Sequence, residues 1–270
     1  MPNSLLGKYT YITDMERQDA AAGTVKSVER ALTVMEAVMR MEGAKVSELA
    51  TKLDMPKSTV HSYLSTLWEL GYLVKEDDVY QIGTMFLQFG EYSRTRKKEY
   101  GMAAEKVTAL AQETNERAQF VIEERGQGVF LYRESGKHAV EADSGTGKRM
   151  YLHCTSAGKA ILAHLSEATV KGIIDRWGLP SVTPHTTTDA SALFEELAEI
   201  RERGYALNRE ENIEGLHAVG VPVRQEVGTV IGSLSISGPS HRMKGEYFLE
   251  ELPNLLLGTA NELELNITYE

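Results

Sequence analysis

The 270-residue sequence predicts an α+β fold in two parts: a winged helix-turn-helix over residues 23–83 and an antiparallel sheet flanked by helices over 101–270. Two patterns carry this. Between 23 and 83, three segments with helical spacing are followed by two short strand-like runs around a polar tip. Behind residue 101, strand-like runs set off by glycine-containing turns are interspersed with helical stretches. The composition agrees: 42% hydrophobic and 25% charged residues supply a core and argue against disorder.

In the front part, Val28, Ala31, Leu32, Met35 and Val38 keep the 3.6-residue spacing of an amphipathic helix, which Gly43 ends. Ser47 is the expected N-cap of a short second helix with Leu49, Ala50 and Leu53 on one side, because its hydroxyl can accept an orphaned backbone N–H. Asp54-Met55 makes a turn, and Pro56 is tolerated at a helix start. Val60, Leu64, Leu67 and Trp68 are expected to line the inner face of a third helix, stopped by Gly71. Residues 72–75 and 79–82 then read as the two strands of the wing, around Glu76-Asp77-Asp78. Residues 1–22 lack periodicity and are expected to form a flexible arm, and 84–100 a linker helix ending in the basic residues Arg94, Arg96, Lys97 and Lys98.

The second part opens with a helix over 102–113. Strands follow at 119–123, 129–133 and 138–142, then helices at 156–165, 167–177 and 190–203. Three more strands are expected at 205–209, 217–224 and 229–237, before a last helix reaching about residue 263.

Charge and chemistry narrow the function. The net charge is −10, but residues 1–100 carry 13 Lys and Arg against 14 Asp and Glu, while residues 101–270 carry 16 against 25. The excess of acid therefore sits mostly behind residue 100, and the near-neutral front part remains compatible with DNA, since phosphate attraction depends on local basic groups. No apolar run long enough to span a membrane is present, and the polar start has no signal-peptide core, so the chain is expected in the cytoplasm. One cysteine, Cys154, excludes an internal disulfide. His153 and Cys154 are adjacent, which suits a catalytic pair badly on a strand, and no nucleophile elbow or metal-ligand spacing is found. Gly145-Thr146-Gly147-Lys148 hints at a phosphate loop, but Ala142 and Arg149 occupy two defining positions. Neither catalysis, nor a cofactor, nor a metal is expected. On the third helix, Lys57, Ser58, His61 and Ser62 lie away from the apolar stripe with Thr59 beside them. From the residues alone they fit either a solvated face or a DNA-reading one.

Several ordered segments carry a family resemblance. They are Ser27-Val28-Glu29-Arg30-Ala31-Leu32, Met55-Pro56-Lys57-Ser58-Thr59-Val60-His61, Leu67-Trp68-Glu69-Leu70-Gly71-Tyr72, His153-Cys154-Thr155-Ser156-Ala157-Gly158-Lys159-Ala160, Arg203-Gly204-Tyr205-Ala206 and Ser235-Ile236-Ser237-Gly238-Pro239. Together, at family spacing, they make the chain resemble the IclR family of bacterial and archaeal regulators from about Thr24 to Leu257. The resemblance implies a GAF-like effector-binding domain, double-stranded promoter DNA as partner, and a homodimer or dimer of dimers. It further implies control of carbon-source metabolism genes by a small organic-acid effector. Carried over, Lys57, Ser58, Thr59, His61 and Ser62 would contact DNA, although many members carry Arg at the position of Ser62. The acidic wing tip is a poor candidate for minor-groove insertion, and the basic run 94–98 is a candidate to compensate. Ser156, Ala157, Asn208, Ala218, Ser235 and Ser237 would form the effector pocket. Asn208 stands where an acidic residue is common and Ala218 where Cys is frequent, changes expected to favour a larger or more anionic ligand. The competing readings are a winged-helix module that binds protein, and an effector-domain enzyme.

Overall fold

A computed structural model describes residues 23–139, 145–225 and 228–269, so the arm over 1–22 lies outside the described residues. These residues divide into two compact units that part between Arg94 and Thr95.

The first unit contains α1 (Lys26–Arg40), α2 (Val46–Lys52), α3 (Lys57–Glu69), the hairpin β1 (Leu73–Glu76) and β2 (Val79–Ile82), and α4 (Met85–Thr95). The hairpin is antiparallel, in register from Leu73↔Ile82 to Glu76↔Val79. Its core draws Val34, Ala37 and Val38 from α1, Leu49 and Ala50 from α2, Val60, Leu64 and Leu67 from α3, and Leu73 and Tyr80 from the hairpin. Burying each large apolar side chain contributes about 1.5–3 kcal/mol, so these few residues hold the three helices together. Three expectations are corrected. On α1 the inner face turns toward Val34 and Ala37, leaving Val28 and Leu32 at 55% and 44% exposure. Trp68 is 48% exposed, because the i, i+4 and i+7 positions Val60, Leu64 and Leu67 already fill the inner face of α3. Ser47 is not the N-cap of α2: Lys45 takes that place, two residues earlier, and Glu48 reaches back to accept the Lys45 backbone N–H at 2.7 Å.

The second unit begins with α5 (Lys98–Thr114) and continues through β3 (Arg117–Glu124), β4 (Gln127–Ser135) and β5 (Arg149–Met150). Next come α6 (Ser156–Leu162), α7 (Glu167–Trp177), α8 (Ala190–Arg203), β6 (Ala206–Arg209), β7 (Leu216–Arg224) and β8 (Val230–Pro239). A π-helical turn, Tyr247–Glu251, leads into α9 (Leu252–Tyr269). The six strands form one antiparallel sheet in the order β5-β4-β3-β8-β7-β6. Alternation along the strands sorts the residues to two faces. Ala118, Phe120, Ile122, Val219, Val221, Leu234 and Ile236 pack under α5 and α9. Val121, Phe130 and Ala206 face α6, α7 and α8.

Helix ends in this unit follow local chemistry. Ser166 accepts the Thr169 N–H at the start of α7, and Asp189 accepts the Ala192 N–H at the start of α8. Gly204, in the left-handed region at φ 84°, ends α8. The strand expected at 138–142 is corrected where it is described: His138 and Ala139 follow the end of β4 in a turn, and 140–142 lie outside the described residues. Among the described residues, no helix is long and apolar enough to cross a membrane.

Candidate functional site

On α3, Lys57, Ser58, His61 and Ser62 are exposed on one side of the helix, and Thr59 is half-buried beside them. Pro56 precedes the helix and its first turn holds no acidic residue, so the positive end of the helix dipole meets the Lys57 ammonium unneutralised. Like charge at a helix start opposes folding slightly, yet it suits an anion arriving from solvent. The hydroxyls along this face lie back on their own helix: Ser62 donates to the Ser58 carbonyl at 3.0 Å, and Thr66 to the Ser62 carbonyl at 2.8 Å. They therefore turn lone pairs outward and must rotate to donate to a phosphate.

The wing adds no positive charge at its tip, where Glu76, Asp77 and Asp78 are all exposed. The basic run that begins in the last turn of α4 has partners within the chain. Arg94 pairs with Glu91 at 2.5 Å, Arg96 approaches Glu124 at 3.7 Å, and the Lys97 ammonium lies over the Tyr100 ring at 5.1 Å. These groups are less available to phosphate than their sequence suggests.

In the second unit, the six pocket residues read from the sequence line one cavity. They come from α6 (Ser156, Ala157), β6 (Asn208), β7 (Ala218) and β8 (Ser235, Ser237), elements far apart in the chain. The cavity is small and partly open to solvent, with hydroxyls, amides and apolar side chains sharing its wall. Register explains the convergence. Arg117, Ser237, Ala218 and Asn208 are successive cross-strand partners over β3, β8, β7 and β6, and Gln119, Ser235, Gly220 and Ala206 form the next row on the same face. Gly220 allows α6 to press onto that second row, since a Cβ there would stand 2.6 to 2.7 Å from the Ser156 and Ala157 backbone. Thr155 caps α6 by accepting the Gly158 N–H at 3.1 Å.

Asn208 is occupied by the fold. Its amide donates to the Cys154 carbonyl at 2.6 Å and its oxygen accepts the Glu211 N–H at 3.2 Å, which fastens the turn before α6 to the β6–β7 loop. Behind the cavity, the fully buried Lys159 pairs with Glu196 at 2.6 Å and Glu211 at 2.5 Å. Cys154 is buried, and that burial, reinforced by Glu211, pushes its thiol up to about 12. Burial also lowers His153, opposed by its hydrogen bond to the Pro180 carbonyl at 3.1 Å. A neutral thiol beside a neutral imidazole that bonds elsewhere is no activated nucleophile. Residues 145–149 turn into β5 rather than a helix, with the Gly147 N–H donating to the Phe130 carbonyl at 2.8 Å, so they form no phosphate loop.

Sequence reasoning missed Arg117 and Gln119, which also line the cavity, and the apolar wall of Phe130, Met150, Ile213 and Leu216. The alternation Arg117-Ala118-Gln119 at a strand start was a signal, but only strand pairing shows that it faces Ser235 and Ser237.

Comparison with known proteins matches the geometry. Residues 27–77 match the IclR helix-turn-helix domain, and residues 100–265 match the bacterial transcriptional regulator IclR C-terminal domain. The chain is 33% identical over 249 residues to the probable HTH-type transcriptional regulator ArcR of Halobacterium salinarum, covering 90% of this chain and 94% of that one. It is also similar to the Thermotoga maritima IclR structure, with a TM-score of 0.78 and 28% identity over 90% of this chain and 99% of that one. A double mutant of the inducer-binding domain of PobR from Acinetobacter, solved with 3-hydroxybenzoic acid, aligns with a TM-score of 0.56 and 28% identity over 61% of this chain and 96% of that one. The proteins it matches are regulators, and nothing in its buried Cys154 and His153 supports the enzymatic reading. With a helix-turn-helix in one unit, an antiparallel sheet flanked by helices in the other and both IclR domains matched in order, the chain belongs to the IclR family of transcriptional regulators.

Proposed function

We propose that the protein binds promoter DNA through the exposed side of α3 and that a small organic acid in the second-unit cavity changes that affinity. Lys57, Ser58 and Thr59 meet the phosphates at the helix start, while His61 and Ser62 reach toward base edges. The acid sits among Ser156, Ala157, Asn208, Ala218, Ser235 and Ser237, and the genes controlled serve carbon-source use. The observation that carries the reading is that these six residues, drawn from four elements, share one cavity. The 3-hydroxybenzoic acid bound by the PobR domain supports a compact acid as the ligand class.

The active form we propose is a homodimer, with dimers able to pair. Its interface uses apolar residues that the first unit leaves exposed, Val28 and Leu32 on α1 and Leu87, Phe89 and Tyr92 on α4. A ligand preferring one arrangement of that dimer shifts DNA affinity through the coupling of two sites.

Titration of a labelled promoter duplex over a range of salt tests the DNA half. Lys57→Ala should weaken binding across sequences and reduce the salt slope by about 0.9, one released counterion. Ser62→Ala should weaken binding with the fold intact. Unchanged affinity in both variants would place the reading surface elsewhere.

A further inference from the structure

We infer that Glu211 is the positioning residue of the cavity: from behind the wall it joins α6, β6 and the β6–β7 loop, and ligand affinity depends on that joint. This rests on the reading of the cavity as the effector site, and adds to it the group that holds the site in shape.

The β6–β7 loop supplies Asn212 and Ile213 to the cavity, with Asn208 of β6 and Leu216 of β7 on either side of it. The loop does not hold this shape by burial alone, since Glu214 and Gly215 are exposed at its tip. Glu210 takes a left-handed backbone at φ 66°, which a residue with a Cβ keeps only where its surroundings impose it. Glu211 imposes it. One carboxylate oxygen accepts from Lys159 Nζ at 2.5 Å, which reaches α6, and the other accepts the Arg209 N–H at 3.2 Å, which reaches β6. Its own N–H donates to Asn208 Oδ1 at 3.2 Å, and the Asn208 amide donates onward to the Cys154 carbonyl at 2.6 Å. Its carbonyl accepts from Thr186 Oγ1 at 2.6 Å, and the Glu210 carbonyl accepts from Thr183 Oγ1 at 2.7 Å. The N–H, the carbonyl and both carboxylate oxygens of this buried residue are therefore all bonded, and each bond holds a neighbour of the cavity wall.

The geometry carries its own control. Lys159 meets two carboxylates at nearly equal distance, Glu211 at 2.5 Å and Glu196 at 2.6 Å. Glu196 comes from α8, meets Lys159 through one oxygen, and is not among the described residues that line the cavity. A glutamine has one acceptor oxygen where a glutamate has two. At position 196 it can keep the single bond. At position 211 it must choose between Lys159 and the Arg209 N–H, so the joint opens on one side. Either change removes one negative charge beside Lys159 and leaves it one carboxylate. A role in stability alone makes the two variants alike, and a positioning role separates them.

The test compares Glu211→Gln and Glu196→Gln in the full chain. Amide hydrogen exchange without ligand, followed by mass spectrometry, reads residues 154–159 and 208–213. In Glu211→Gln both segments should exchange at least about tenfold faster than in wild type, the loss of one bond to a charged group, and in Glu196→Gln within about threefold. The β3–β8 pair, read in the same experiment, should exchange as in wild type, which separates local loosening from unfolding. By calorimetry, each of 3-hydroxybenzoate, 4-hydroxybenzoate and gluconate that wild type binds should bind about 10- to 100-fold more weakly to Glu211→Gln and within about threefold to Glu196→Gln. Thr186→Val, which removes the donor to the Glu211 carbonyl without a change of charge, carries the test if Glu211→Gln unfolds early: exchange over 208–213 should quicken, and exchange as in wild type would overturn the assignment. Equal exchange in the two glutamine variants, or an equal loss of affinity in both, would overturn the role of Glu211 and leave the cavity reading standing. Wild type binding none of the three probes would sink the small-acid reading alone, because the exchange comparison needs no ligand and still decides what Glu211 holds.

Discussion

Replacing Lys159 with methionine removes a charge from a site that water does not reach. The side chain is fully buried, and its ammonium is held 2.6 Å from Glu196 and 2.5 Å from Glu211. Methionine has a similar length, so little cavity forms and the loss is electrostatic. Glu196 is 26% exposed and can turn to water. Glu211 cannot: its side chain is 12% exposed, and the partner left to it is the Arg209 N–H at 3.2 Å. Removing one member of a buried ion pair destabilises by about 3–5 kcal/mol, mostly through the charge left behind. For a unit of about 170 residues, roughly 2–4 °C is lost per kcal/mol, so the melting temperature should fall by about 6–20 °C. Calorimetric and circular-dichroism melts measure this directly. Lys159→Met with Glu211→Gln removes both charges and should restore more than half of the loss. The reasoning fails if the single variant melts within about 2 °C of wild type, or if the added Glu211→Gln destabilises it further.

Three other outcomes follow from the same geometry. Gly220→Ala places a Cβ against the Ser156 and Ala157 backbone and should displace α6; differential scanning fluorimetry should show a lower melting temperature and no stabilisation by acids that stabilise wild type. Cys154 should resist iodoacetamide at pH 8 in the native protein and react in urea, as mass spectrometry would show. Because its folded value of about 12 lies above an unfolded value of about 8.5, its contribution to stability is present below that lower pH and declines as pH rises toward 12, a decline Cys154→Ala should lessen. Leu32→Glu with Leu87→Glu should convert an assembly of two or four chains into one of the 30.0 kDa chain mass in analytical ultracentrifugation, and a wild type already sedimenting at that mass would refute the dimer.

Much of this was legible in the sequence because the signals were local. The bounds of α7 and α8 follow from Ser166, Asp189 and Gly204, residues whose capping roles are visible without a fold. The pocket serines followed from a family pattern and period-two alternation. What escaped was non-local. α1 carries apolar residues on two faces, and periodicity alone cannot say which of Val28 and Val34 meets the core. Lys159 stood inside a recognised segment, but lysine is almost always exposed, so its burial depended on Glu196 and Glu211 arriving from other elements. Arg117 and Gln119 joined the cavity wall only when β3 paired with β8.

The central claim is that one cavity governs the reading of DNA by another part of the chain. The most direct measurement is the affinity of wild type and Ala218→Trp for a duplex selected from a random library, with and without an acid that raises the wild-type melting temperature. Tryptophan at 218 fills the cavity and leaves α3 untouched. The account predicts that both proteins bind the duplex alike without acid, and that the acid changes wild-type affinity about 5- to 150-fold while leaving Ala218→Trp unmoved. An Ala218→Trp protein that still responds as wild type does would contradict it.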